Sequence, residues 1–213
     1  MELLHSELKN KQFDAIIFDF GAVLINIDYH KTRTEFEKLG IQNFDALFSK
    51  ARQNSLFDNL EKGLISEIEF RNELRALCGI DLNDDDIDQA WNSMLLKMPQ
   101  KRVELLQKLS VHKPLYLLSN TNRMHERSFA QTIDAEFGWT MFTSLFKKIY
   151  FSHEVNMRKP DLEIFQLVLT ENNLNPSTTL FIDDSPQHIE GAKKAGIHAF
   201  HLTDDMDVCD LFG

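Results

Sequence analysis

The 213-residue sequence predicts an α/β fold: a doubly wound parallel (Rossmann-like) sheet core with an inserted helical bundle. Three observations predict it. The run Ala15-Ile16-Ile17-Phe18, ending at Asp19, is short and continuously apolar, as a strand buried on both faces of a parallel sheet must be. Later apolar runs alternate with helical patterns, the signature of strand–helix–strand crossovers. Residues 28–98 differ, with several helix starts and no convincing strand.

The first strand covers residues 15–19 and leaves Asp19 at its carboxyl end, where open α/β sheets place their ligands. A carboxylate there can hold a metal, attack as a nucleophile or cap the next turn. In the insertion, Phe44, Leu47 and Phe48, then Leu74 and Leu77, give apolar helical faces for a small bundle. Ser66-Glu67-Ile68-Glu69 fits a capping box, with Ser66 accepting from the Glu69 amide and Glu69 reaching back. Asn83 followed by Asp84, Asp85 and Asp86 is a helix cap with acids in the first turn, where the helix dipole favours them. A metal loop is the weaker reading, because no glycine or later glutamate follows at calcium-loop spacing. Further strands fall at residues 115–119, 148–152, 180–183 and 197–201. Pro160 with Leu162, Phe165 and Val168 predicts a helix with proline in its first turn. Ser185-Pro186, then Ile189 and Ala192 with a stop at Gly196, predicts another. Residues 1–27 and 99–213 thus form the core domain and 28–98 the helical insertion.

Composition bounds the partners. A hydrophobic share of 43% with 26% charged residues is ordinary for a soluble globular chain. The net charge of −10 argues against nucleic acid or an anionic membrane as partner. A phosphorylated small molecule stays open, since a phosphate pocket needs only a few local donors. Cys78 and Cys209 are isolated thiols, which fits a reducing cytoplasm. The start Met1-Glu2-Leu3-Leu4-His5-Ser6-Glu7-Leu8 has no leader pattern, and no apolar run approaches a membrane span. A monomer is consistent with the composition, which leaves the oligomeric state open.

The strand ends carry the chemistry. Asp19 closes the first, Ser119-Asn120 the second and Asp183-Asp184 the fourth, while Lys159 lies in the loop after the third. In a parallel sheet all of these meet at one edge. Carboxylates, a hydroxyl with an amide, and a lysine converging there suit metal-assisted phosphoryl transfer. Mg²⁺ prefers carboxylate and carbonyl oxygens and shares its shell with phosphate. Lysine supplies a point charge and Ser119 a neutral donor, and an aspartate beside the metal can attack phosphorus.

With these residues the chain resembles the haloacid dehalogenase (HAD) superfamily over nearly its whole length. Asp19-Phe20-Gly21-Ala22-Val23 is similar to the first motif of that superfamily and Leu118-Ser119-Asn120 to the second. Lys159-Pro160-Asp161 is similar to the third, and Phe181-Ile182-Asp183-Asp184 to the fourth. The insertion is similar to the helical cap of one large subclass, and Glu61-Lys62-Gly63-Leu64-Ile65-Ser66 to the loop by which such caps touch substrate. The resemblance implies Asp19 as nucleophile and metal ligand, and Asp184 as the second carboxylate on Mg²⁺ with Asp183 in or near its shell. It also implies the Gly21 carbonyl as a metal ligand, Ser119 and the Asn120 amide on phosphate oxygens, and Lys159 neutralising the charge that builds there.

One departure stands out. Most phosphatases of the superfamily carry a second aspartate where this chain has Gly21, the acid that protonates the leaving group. General acid–base catalysis contributes on the order of 10²–10⁴ in rate. Its loss implies a slow enzyme, an undemanding leaving group, a substitute acid from the cap, or no catalysis. The motif neighbourhoods, including Thr121-Asn122-Arg123-Met124-His125, resemble the bacterial α-glucose-1-phosphate phosphatase-like branch, which shares this glycine. The expectation is a Mg²⁺-dependent phosphatase of small phosphorylated metabolites such as a sugar 1-phosphate. A non-catalytic or regulatory binding protein on this fold is the alternative. A 2-haloacid dehalogenase fits less, since that chemistry does without the metal-binding Asp183-Asp184 pair.

Other residues read more plainly. His198 and His201 lie three apart on a strand, so they point to opposite faces and share no metal. His125 and Arg123 follow the second motif as helix surface or pocket rim. Trp91 and Tyr29 read as buried faces of the insertion, with stacking on a sugar as the alternative. Cys209 has no pattern of a nucleophile.

Overall fold

A computed structural model describes the chain except Met1, Glu2, Leu4, Glu7, Asn10, Asn43 and Asn54, and the side chains of Lys50, Arg52 and Gln53. Part of the N-terminal stretch read for a leader therefore lies outside the described residues. Among the described residues no helix is long and apolar enough to cross a membrane.

The apolar runs become β1 (Ala15–Phe18), β2 (Leu115–Ser119), β3 (Lys148–Phe151), β4 (Thr179–Asp183) and β5 (His198–His201). They form a five-stranded sheet ordered β3-β2-β1-β4-β5, and every neighbouring pair is parallel. Period-two alternation sorts the strand side chains onto two faces. Ile16 and Phe18 join Leu115, Leu117, Leu180 and Ile182 in one buried cluster. It is covered by α6 (Gln100–His112), α7 (Arg123–Phe137) and α8 (Trp139–Ser144). Ala15 and Ile17 join Tyr116, Leu118 and Phe181 under α10 (Leu162–Glu171) and α11 (Pro186–Lys194).

Of the helices between β1 and β2, five precede α6 and make up the insertion: α1 (Tyr29–Lys38), α2 (Phe44–Gln53), α3 (Leu56–Glu61), α4 (Glu67–Cys78) and α5 (Asp84–Asn92). They enclose a third apolar cluster containing Phe36, Phe44, Leu47, Leu60, Phe70, Leu74, Ile87 and Trp91, which Met124 of α7 also joins. The chain enters and leaves this bundle side by side. The Asp28 amide donates to the Met94 carbonyl at 2.9 Å, the Asn26 amide to Lys97 at 3.3 Å, and the Leu96 amide returns to Asn26 at 3.0 Å. The predicted caps are present: Ser66 and Glu69 close a capping box on α4. Asn83 accepts from the Asp86 amide at 2.8 Å at the start of α5.

The structure corrects several boundaries. Strand three stops at Phe151, because Ser152 opens α9 (Ser152–Val155). Pro160 stands ahead of α10, behind its cap Asp161, rather than in the first turn. Trp91 is buried as predicted, but Tyr29 is 69% exposed.

Candidate active site

Lys159 is fully buried at the carboxyl edge of the sheet. Its Nζ donates to Asp19 Oδ1 at 2.5 Å and to Asp183 Oδ2 at 2.7 Å. One ammonium thus bridges the ends of β1 and β4, adjacent strands whose register sets Phe18 beside Ile182. The Asp19 amide continues that ladder, donating to the Ile182 carbonyl at 2.9 Å. The Phe181 ring lies 5.4 Å from the same ammonium, within cation–π range.

The loop that carries Lys159 is held from two sides. Asn120, just past β2, donates from Nδ2 to the Lys159 carbonyl at 2.8 Å and accepts the Lys159 amide on Oδ1 at 2.9 Å. Behind it lies Gly191 of α11, where an added Cβ would sit 2.5 Å from the Pro160 carbonyl oxygen. Only glycine admits that approach. Ser152 ties β2 to β3 by accepting the Thr121 amide and donating to the Thr121 carbonyl, each at 2.9 Å.

No motif marks His188, which sits 2.9 Å from Asp183 Oδ1 through Nδ1. Asp183 Oδ1 also accepts the Ser185 amide at 2.8 Å, so both of its oxygens are engaged. His201 Nε2 lies 2.9 Å from the Asp184 carbonyl, while the His198 ring meets Phe13 edge-on; the two histidines act apart, as expected. His125 is neither helix surface nor rim. It is buried, with its ring parallel to Trp91 at 5.1 Å and Nδ1 2.8 Å from Asn92 Oδ1, and burial lowers it to about 3.

Burial pushes the Asp19 carboxyl up to about 7 against the opposing charge of Lys159. Burial acts on Asp183 in the same sense, yet Lys159 and His188 hold it at about 2. Asp184 is raised by burial and then by Asp183. Burial disfavours the Lys159 ammonium, but Asp183 and Asp19 outweigh that and raise it above the ordinary lysine range. Oxygens of Asp19, Asp183 and Asp184 all lie within 4.8 Å of one another. Three carboxylates against one ammonium leave uncompensated negative charge on hard oxygen donors, which fits a small divalent cation. The Gly21 carbonyl accepts the Val23 amide at 2.7 Å and keeps one lone pair free. Ser119 is buried at the end of β2. Glu126, His153 and Glu154 form a second close cluster, in which Arg123 pairs with both glutamates and offsets part of their charge.

The insertion reaches this edge through Tyr29 and Glu61. Enclosure of the Tyr29 hydroxyl, then the fields of Asp184, Asp19, Glu61 and Asp183, push it up to about 12, although the residue as a whole is exposed. Glu61 lies 3.0 Å from Arg158, the neighbour of Lys159.

A parallel sheet ending in buried aspartates bridged by a lysine, under a helical insertion, defines a hydrolase of the α/β class. The chain belongs to the haloacid dehalogenase-like hydrolase family, which matches residues 16–202. It is 32% identical over 192 residues to a D-ribitol-5-phosphate phosphatase of Bacteroides thetaiotaomicron, covering 90% of this chain and 93% of that one. A HAD family enzyme of the same organism, crystallised with magnesium and inorganic phosphate, superposes with a TM-score of 0.85 at 35% identity, over 94% of this chain and 100% of that one. A predicted HAD-like hydrolase of Porphyromonas gingivalis follows at a TM-score of 0.81 and 28% identity, over 92% of this chain and 93% of that one.

Proposed function

We propose that the protein is a magnesium-dependent phosphatase of small phosphorylated metabolites, acting through a phosphoryl-aspartate on Asp19. The observation that carries this reading is the buried Lys159 bridging Asp19 and Asp183 at 2.5 and 2.7 Å. A buried ammonium there holds the attacking carboxylate in place and offsets charge as phosphorus is approached. Asp19, Asp184 and the Gly21 carbonyl would hold magnesium, which supplies further neutralisation of the phosphoryl oxygens. Asp183, with both oxygens engaged, orients Lys159 from behind. Ser119 and the Asn120 amide would bind the non-bridging phosphate oxygens. Residues 28–98 act as a cap over the core formed by 1–27 and 99–213. The two half-buried free thiols fit a cytoplasmic setting.

Two substrate classes lead. An anomeric sugar 1-phosphate has the better leaving oxygen, while the relative named for D-ribitol 5-phosphate supports a polyol phosphate. The test is a panel of sugar, polyol and aryl phosphates with Mg²⁺, with excess chelator, and with Asp19→Asn. Chelation should stop turnover and added Mg²⁺ restore it. The Asp19→Asn protein should fold and be inactive, because an amide is a poor nucleophile and a weaker metal ligand. Retained turnover in that variant, or full turnover in chelator, rejects the mechanism.

A further inference from the structure

A departing alkoxide needs a proton as its bond to phosphorus breaks, and the groups at the sheet edge are committed. Asp19 attacks, Asp183 is engaged by Lys159, His188 and the Ser185 amide, and Asp184 would hold magnesium. Gly21 has no side chain to offer. Resting on the phosphatase reading, we propose that Glu61 of the insertion is the general acid and then the general base. Its carboxylic acid gives a proton to the leaving oxygen as an Asp19 oxygen bonds to phosphorus and the ester P–O bond breaks. The carboxylate left behind takes a proton from the water whose oxygen then attacks phosphorus. That attack breaks the Asp19–phosphorus bond, frees phosphate and restores the acid form of Glu61.

The placement supports this. Glu61 ends α3, and four ties seat the α3 end on the core loop that carries Lys159. Arg158 pairs with Asp58 and lies 3.0 Å from Glu61. Asn156 donates to the Lys62 carbonyl at 2.7 Å, and Lys62 Nζ to Asp161 at 2.9 Å. Gly63, at φ 63°, comes so near that a Cβ would lie 2.3 Å from the His153 carbonyl oxygen. Glu61 is thereby fixed beside the immediate neighbour of Lys159.

Its Oε2 is inaccessible and has no aligned hydrogen-bond partner among the described residues, although Arg158 is close. A buried carboxyl oxygen held by one misaligned ion pair can take up a proton. The charged and titratable groups facing it are Arg158, Asp58, Lys159 and the Tyr29 hydroxyl. Burial raises the carboxyl, Arg158 opposes and Asp58 adds; the net direction is upward, toward the range useful for acid catalysis. The Tyr29 hydroxyl lies in the fields of Glu61 as well as of Asp184, Asp19 and Asp183.

The experiment compares kcat/KM of wild type and Glu61→Gln on an alkyl phosphate (ribitol 5-phosphate) and on para-nitrophenyl phosphate, across pH. The aryl oxygen leaves without a proton and the alkyl oxygen does not. Glu61→Gln should lose about 10²–10⁴-fold on the alkyl ester, lose far less on the aryl ester, and drop the alkaline limb of the alkyl pH profile. Gly21→Asp added to Glu61→Gln should recover alkyl turnover, since a Cβ at Gly21 meets only Ile27 at 3.5 Å. Asn156→Ala, which cuts a neighbouring tie and leaves the carboxyl, should change both esters in proportion. If Glu61→Gln does not fold, Glu61→Asp should show the same alkyl-selective loss. Equal losses on both esters with an unchanged pH profile overturn the inference. A wild type inactive on every ester overturns the phosphatase reading and this inference with it.

Discussion

Asn120 shows how a residue can be legible while its task is not. Its position after a strand end marks it for phosphate, but its side chain clamps both backbone groups of Lys159. Replacing it with alanine removes two hydrogen bonds, each contributing about 0.5–1.5 kcal/mol net. Asn120→Ala should therefore unfold at lower urea, by about 1–3 kcal/mol. It should also lose up to about 10²-fold in kcat as Lys159 drifts. Unchanged kcat in a destabilised variant would reduce Asn120 to a structural tie. Asp19, Asp183, Asp184 and Lys159 were readable because strand ends of a parallel sheet share an edge. His188 was not, because its partner is fixed by the turn from β4 into α11, which leaves no periodic trace. Tyr29 was misread because exposure over a site and burial in a bundle need the same amphiphilic side chain.

At the scale of elements, continuous apolar runs announced the strands to within a residue. The short helices α8 and α9 were missed because four to six residues carry no helical period. Pro160 lies two residues ahead of the first helical residue of α10 rather than in its first turn, because the cap residue Asp161 comes after it. The contact of α11 with the Pro160 loop gives a prediction in which two effects oppose. Gly191→Ala gains about 1 kcal/mol of helix propensity. It also forces a Cβ to 2.5 Å from a backbone oxygen and 2.9 Å from the Phe165 ring, and overpacking of that kind costs about 1–3 kcal/mol. Overpacking should win. Chemical denaturation should show a net loss, and kcat should fall because α11 carries His188 behind Asp183. A variant more stable than wild type would mean that the loop yields freely.

The whole molecule is closed by a charge cluster far from the reaction. Asp207 accepts from Arg102 at 3.0 Å and Lys101 at 3.0 Å, fastening the C-terminal turn to α6. Partial burial raises its carboxyl, but the Cys209 amide, Lys101 and Arg102 together hold it well below the usual carboxylate range. A depressed native pKa means that the unfolded chain binds the proton first. The stabilisation is therefore full above about pH 4, the unfolded carboxylate value, and is lost as pH falls below it. Asp207→Asn should be less stable at pH 7 and flatter in its decline between pH 4 and pH 2, measured by thermal melts along a pH series. Parallel curves for the two proteins would show that the pair does not couple to folding.

The strand order also bears on how the chain is made. β1 emerges early from the ribosome, yet one of its two neighbours, β4, starts only at Thr179. For most of synthesis an apolar strand tipped by Asp19 has a bare edge, the kind of surface on which nascent chains misassociate. Asp183 and His188 arrive later still, so a product ending before them lacks the groups that engage Lys159 from behind. On the proposed mechanism, a chain cut before β4 should be both prone to misassociation and without phosphatase turnover, which an aggregation and activity assay of such a truncation would check.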